Sequence, residues 1–172
     1  PSVSTATDVE HMGDGSQTAR QTESQVLGHA ANVLDARLDA LVANQRAFFR
    51  SGATLPREFR KERLRSLLDV LERRHQRITD AVAEDLKRCE TEAYLSEVGH
   101  VVSEIRHALK KLSSWMKPAR SIGPLATAPS MASLHAQPLG LNLIIAPWNY
   151  PVQLALSPLV AAIAAGNVAV VK

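Results

Sequence analysis

The 172 residues, 45% hydrophobic and 22% charged, have the composition of a soluble globular protein with room for one ordinary core. The net charge of +3 is spread along helical stretches and interleaved with acids, as in Lys61-Glu62-Arg63 and Glu72-Arg73-Arg74. Such spacing marks a solvated helix face and speaks against a nucleic-acid surface, which needs a denser one-sided patch. Cys89 is the single cysteine, which excludes an intramolecular disulfide or a cysteine cluster. It fits a reducing compartment, and a cytoplasmic location is the expectation.

Residues 1 to about 25 are polar and Ser/Thr-rich, with almost no large apolar groups. They bury too little to offset the entropy of ordering, so a flexible tail is expected. The chain begins with Pro1 rather than Met, which leaves room for an upstream piece, and no basic region followed by an apolar run marks a secretory signal. His11 has no partner at metal-ligand spacing, and no metal site is expected. From Val26 the pattern turns helical, through Ala30, Val33, Leu34, Leu38 and Leu41 to Phe48 and Phe49, until Ser51-Gly52 stops it. Pro56 suits the first turn of a second helix, whose apolar face runs through Phe59, Leu64, Leu67, Leu68, Leu71, His75, Ile78 and Val82. His75 on that stripe reads as a core-flanking histidine. Cys89 falls in the connection to a third helix. Only Arg88 stands near it as an activating group, so a structural or incidental thiol is expected rather than a nucleophile. The third helix carries Val98, Val101, Val102, Ile105, Ala108, Leu109, Leu112, Trp115 and Met116 on one face and ends at Pro118.

Residues 118–140 lose helical periodicity and contain four prolines and two glycines. Segments near Ser121–Thr127 and Ala132–Gln137 are candidates for a hairpin. From Leu139 to Val171 no side chain is charged. A membrane span would explain that, but Pro147, Asn149, Pro151, Pro158 and Gly166-Asn167 interrupt the run. A strand at Leu141–Ala146, a helix from 151 to about 165 and a strand at Val168–Val171 explain it better. Pro151 sits in that helix's first turn and Gly166 at its C-cap. Strand, helix and strand form a βαβ unit whose strands are covered on both faces. The expected fold class is therefore α/β: N-terminal helices followed by a Rossmann-like βαβ unit.

Ligands of open parallel sheets bind beyond the C-terminal strand ends, here Ala146-Pro147-Trp148-Asn149-Tyr150-Pro151. Asn149 between two prolines offers an amide on a short rigid tether, suited to stabilising an oxyanion. A turn-forming asparagine would have the same appearance. No G-x-G-x-x-G follows the strand.

Pro138-Leu139-Gly140, the run 141–151 ending in Pro-Trp-Asn-Tyr-Pro, Ser157-Pro158-Leu159 and Ala162–Lys172 resemble the aldehyde dehydrogenase superfamily. Phe48–Gly52, Glu92–Glu97 and Trp115–Pro118 are similar to its class 3-like branch, which handles fatty, aromatic and coniferyl-type aldehydes. The likeness covers roughly residues 27–172. It implies an enzyme that oxidises aldehydes to carboxylic acids with NAD or NADP, and that forms a homo-oligomer, usually a dimer, when complete. It also implies that Asn149 donates its amide to the oxyanion of a tetrahedral thiohemiacetal. Ile145, Ala146, Pro147 and Trp148 would line the nicotinamide side of the cofactor cleft, and Lys172 would bond the adenosine ribose. The family's P-x-E, phosphate-contacting glycine turn, general-base Glu and nucleophilic Cys lie beyond these 172 residues. The chain is thus expected to be an N-terminal part, inactive alone, with an open sheet edge and an uncovered apolar helix face. A non-catalytic interaction piece is the rival reading, and a membrane-associated helical protein the lesser one.

Overall fold

The computed structural model describes residues 34–123, 126 and 129–172. The stretch read as a tail lies outside them, as does the start of the first helix. The chain divides into two compact units, Pro1–Val42 and Ala43–Lys172. Residues 34–42 of the first unit are helical.

The second unit opens with helical residues 43–50 (α1), which stop where Gly52 takes φ +75°. Then come α2 (Arg57–Leu86), α3 (Glu90–Ala93), a π-helical turn (Tyr94–Gly99) and α4 (His100–Trp115). The strands β1 (Ala119–Ile122) and β2 (Met131–Leu134) precede β3 (Leu141–Ile144), α5 (Pro151–Ala165) and β4 (Val168–Val171). The core lies where α2, α4 and α5 meet. Leu64, Leu71, Val98, Val101, Ile105 and Leu112 are buried there, with Val160 and Ala164 arriving from α5. Full burial of each large aliphatic side chain is worth roughly 1.5–3 kcal/mol, so these three helices hold one another.

Three expectations need correction. His75 is exposed, its Nδ1 2.8 Å from the Glu72 carbonyl and its ring edge-on to Tyr94 at 5.8 Å. Thr79, one turn on, takes the buried place on α2. The third helix is not uniform, because the π turn widens it just before α4, and Trp115 and Met116 end up exposed. The hairpin is antiparallel with Ala119 opposite Leu134 and Ile122 opposite Met131, shifted toward the N-terminus of the segments proposed for it. Both strands are exposed along their whole length, so no buried face sets the register.

β3 and β4 pair in parallel, Leu141 opposite Val168 and Ile144 opposite Val171, with α5 as the crossover. The two α/β layers are thus the helices α2 and α4 on one side of α5 and this strand pair on the other. Gly140 opens β3 at φ +118° beneath the Phe49 ring, its N–H donating to Asn167 Oδ1 at 2.8 Å. Pro158 inside α5 removes one intrahelical donor, yet the helix runs its full 15 residues. No helix among the described residues is long and apolar enough to cross a membrane.

Both ends of α5 are held by charged groups from the earlier helices. At its C-terminus Gly166 adopts φ +88°, and the buried Arg60 donates from Nη1 to the Ala164 carbonyl at 3.2 Å and from Nε to the Thr54 carbonyl at 3.0 Å. Burial lowers the Arg60 pKa from its ordinary value. At the N-terminus the carboxylate of Glu97, fully buried, accepts from the Val152 and Gln153 N–H groups at 3.0 and 2.8 Å. An anion at the N-terminus and a cation at the C-terminus match the helix macrodipole.

Candidate active site

The six residues singled out in the sequence gather at the C-terminal ends of β3 and β4. The parallel ladder continues past the strands: Lys172 N–H donates to the Ile144 carbonyl at 2.8 Å, and Ala146 N–H to the Lys172 carbonyl at 2.9 Å. Lys172 therefore lies beside Ala146, with Pro147, Trp148 and Asn149 following in the turn into α5. Ile145 and Trp148 are 68% and 87% exposed, an apolar wall open to a flat ligand. Pro147, Asn149 and Lys172 are exposed, and Ala146 is half-buried.

Asn149 is held by its backbone and left free at its side chain. Its carbonyl accepts from Arg88 Nη2 at 2.6 Å, while its amide bonds no described residue. An Asx turn would need the side-chain oxygen to accept from the N–H two residues on, and that residue is Pro151, which has none. That one turn-forming bond is therefore not available to Asn149. The amide is a donor without a protein acceptor, carried on an anchored backbone.

Arg88 and Glu97 were not singled out in the sequence for this site. In the sequence Arg88 reads only as an activator of Cys89. It turns instead to the Asn149 loop, while Cys89 sits exposed at the N-cap of α3. The Arg88 guanidinium packs over the Tyr150 ring at 4.2 Å and lies 3.4 Å from Glu97 Oε1 and 3.8 Å from Glu92 Oε1. These contacts join residues 61 apart (Arg88 and Asn149) and 55 apart (Glu97 and Val152), which no local pattern can register. Among the described residues no three His, Cys, Asp or Glu side chains gather as a metal site.

Known proteins resemble this chain in sequence and fold. The chain is 45% identical over 127 residues to human "Aldehyde dehydrogenase family 3 member B1", an overlap of 74% of this chain and 27% of that protein. The substrate-bound state of Staphylococcus aureus AldH superposes with a TM-score of 0.76 at 37% identity, covering 78% of this chain and 30% of that one. NADP-dependent glyceraldehyde-3-phosphate dehydrogenase from Bacillus halodurans, solved in complex with NADP, gives 0.66 at 25% identity and covers 76% and 28%. The chain thus spans under a third of the length of these relatives. The sequence profile of the aldehyde dehydrogenase family matches residues 10–172, nearly the whole chain. By that match this chain belongs to the aldehyde dehydrogenase family.

Proposed function

We propose that this chain supplies the oxyanion donor and one wall of the cofactor cleft in an enzyme that oxidises aldehydes to carboxylic acids with NAD or NADP. The observation that carries the reading is the Asn149 amide, exposed and without a protein partner, on a backbone that Arg88 anchors at 2.6 Å. When a thiolate adds to an aldehyde carbon, the carbonyl oxygen gains a full negative charge. An amide N–H already aimed at that oxygen stabilises the tetrahedral species without reorganising. The thiolate comes from outside these 172 residues, as does the base for the later hydrolysis of the thioester.

The strand-end surface fits a nicotinamide cofactor. Ile145, Pro147 and Trp148 present apolar surface to a planar ring, and Lys172 on the adjacent strand offers ammonium donors to ribose hydroxyls. A nicotinamide held there by Ile145, Pro147, Trp148 and Lys172 would supply the hydride acceptor that aldehyde oxidation needs. The NADP complex of the Bacillus halodurans relative supports NADP as one candidate.

A homodimer of the complete enzyme belongs to the same reading. The β1–β2 ribbon leaves Ile122, Met131 and Leu134 74–88% exposed, an apolar surface that a second copy would cover. The rival reading, a non-catalytic interaction piece, draws on the same exposed groups.

Asn149→Ala in the enzyme expressed from its complete reading frame separates the two. We expect kcat to fall by about 10²–10³ with cofactor KM little changed. An unchanged rate of the first NAD(P)H burst would reduce Asn149 to a loop residue.

A further inference from the structure

We infer that Arg88 and Glu97 form a two-point clamp that positions Asn149 for catalysis, an inference that rests on the oxyanion role proposed for Asn149. Asn149 and Tyr150 separate the strand-end proline Pro147 and Trp148 from the first residue of α5. Among the described residues, the side-chain hydrogen bonds that reach this segment and the helix start after it come from the stretch 88–97. Arg88 Nη2 binds the Asn149 carbonyl, and its guanidinium plane covers Tyr150 at 4.2 Å. Glu97 Oε2 binds the first N–H groups of α5, at Val152 and Gln153. Tyr150, the N-cap residue, makes no side-chain cap of its own, so Glu97 takes over that task from a separate segment.

The two clamping groups are themselves joined. Glu97 Oε1 faces Arg88 Nη1 at 3.4 Å, leaving Oε2 for the helix. Glu97 is 0% exposed and the Arg88 side chain 15%. A buried ion pair is a poor way to gain stability, since apolar side chains of similar volume generally do as well. What it does supply is direction. One arm of the Arg88 fork holds the Asn149 carbonyl while the other faces Glu97, and the carboxylate fixes where the helix begins. Just before Arg88, Lys87 ends α2 at φ +55°, a left-handed C-cap conformation that an L side chain enters at a cost of about 1–2 kcal/mol.

Merely structural residues would lower stability and leave the turnover of the folded enzyme alone. A clamp on Asn149 predicts a different pattern. Arg88→Lys keeps a cation beside Glu97, but an ammonium cannot bond the carbonyl, face the ring and meet the carboxylate together. Glu97→Gln keeps the shape and one acceptor oxygen. In the enzyme expressed from its complete reading frame, with rates expressed per titrated active site, each variant should slow the NAD(P)H burst about 10–10²-fold. Cofactor KM should stay within about twofold, because a displaced donor weakens only the transition state. In an Asn149→Ala background neither substitution should slow the burst further. Per-site rates that remain unchanged while Asn149→Ala costs its expected factor would overturn the clamp and leave the oxyanion role standing. Losses that multiply with that of Asn149→Ala would overturn it equally. If Asn149→Ala costs nothing, the oxyanion role falls and the clamp falls with it.

Discussion

Replacing Gly166 by alanine tests how far the C-terminal end of α5 depends on Arg60. Two costs are involved. At φ +88° any L residue is strained by about 1–2 kcal/mol. The new Cβ would also lie 2.6 Å from both Cζ and Nη2 of Arg60, well inside contact distance. The guanidinium must move, and it then loses its bonds to the Thr54 and Ala164 carbonyls at 3.0 and 3.2 Å. Each bond from a charged donor is worth about 1.5–3 kcal/mol, and partial repair by side-chain motion recovers some of it. A total loss of about 3–5 kcal/mol is expected. Gly52→Ala is the matched control, since φ is +75° there but the nearest atom to a new Cβ is Leu55 Cδ1 at 3.7 Å. It should cost only the strain, about 1–2 kcal/mol. Urea unfolding of this chain, followed by far-ultraviolet circular dichroism, measures both. Repeating Gly166→Ala in an Arg60→Met background should shrink its cost to that of Gly52→Ala. Equal losses at Gly52 and Gly166, or a Gly166 penalty that survives without Arg60, would refute the reasoning.

Two further outcomes follow from local geometry. Lys87→Gly should stabilise the chain by about 0.5–1 kcal/mol in the same urea assay, because it relieves the left-handed strain at a helix C-cap; a loss of stability would show that the lysine side chain contributes more than its backbone costs. Cys89, being exposed, should react with a thiol reagent in the native state as fast as in urea, and Cys89→Ser should leave aldehyde oxidation by the complete enzyme unchanged. Protection of the thiol, or turnover lost with the serine, would return Cys89 to consideration as a working residue.

The parts of this fold that were legible in the sequence are those fixed by local rules. The uncharged run from Leu139, broken by Pro151 and Gly166, specified a crossover helix, and α5 spans Pro151–Ala165 with Gly166 left-handed at its end. β4 occupies Val168–Val171 as the β-branched run implied, while β3 stops at Ile144, two residues short of the strand drawn to Ala146. The gathering of Ile145–Asn149 and Lys172 at one strand end follows from the parallel pairing of two adjacent strands. Long-range placement was not legible. His75 has helical spacing for the core, yet the ring stands outside because Thr79 meets α2's neighbours instead. Glu97 reads as one more acid on a charged helix, and only the π turn together with the start of α5, 55 residues away, makes it a buried cap. Arg88 looked like a neighbour of Cys89 because adjacency in sequence was the only relation visible.

The tethers at the two ends of α5 also set an order of assembly. Arg60 and Ala164 are 104 residues apart, and Glu97 and Val152 are 55 apart. Closing such loops has an entropic cost before any contact rewards it, and contacts of high sequence separation slow folding. A helix of 15 residues is marginal by itself in water, so α5 gains its persistence from the surface that receives it. Synthesis from the N-terminus delivers α2, the π turn and α4 first, with Arg60 and Glu97 already on them. The nascent chain therefore carries a docking template before the segment that needs one has left the ribosome, and the turn at Asn149 takes shape only when that segment arrives.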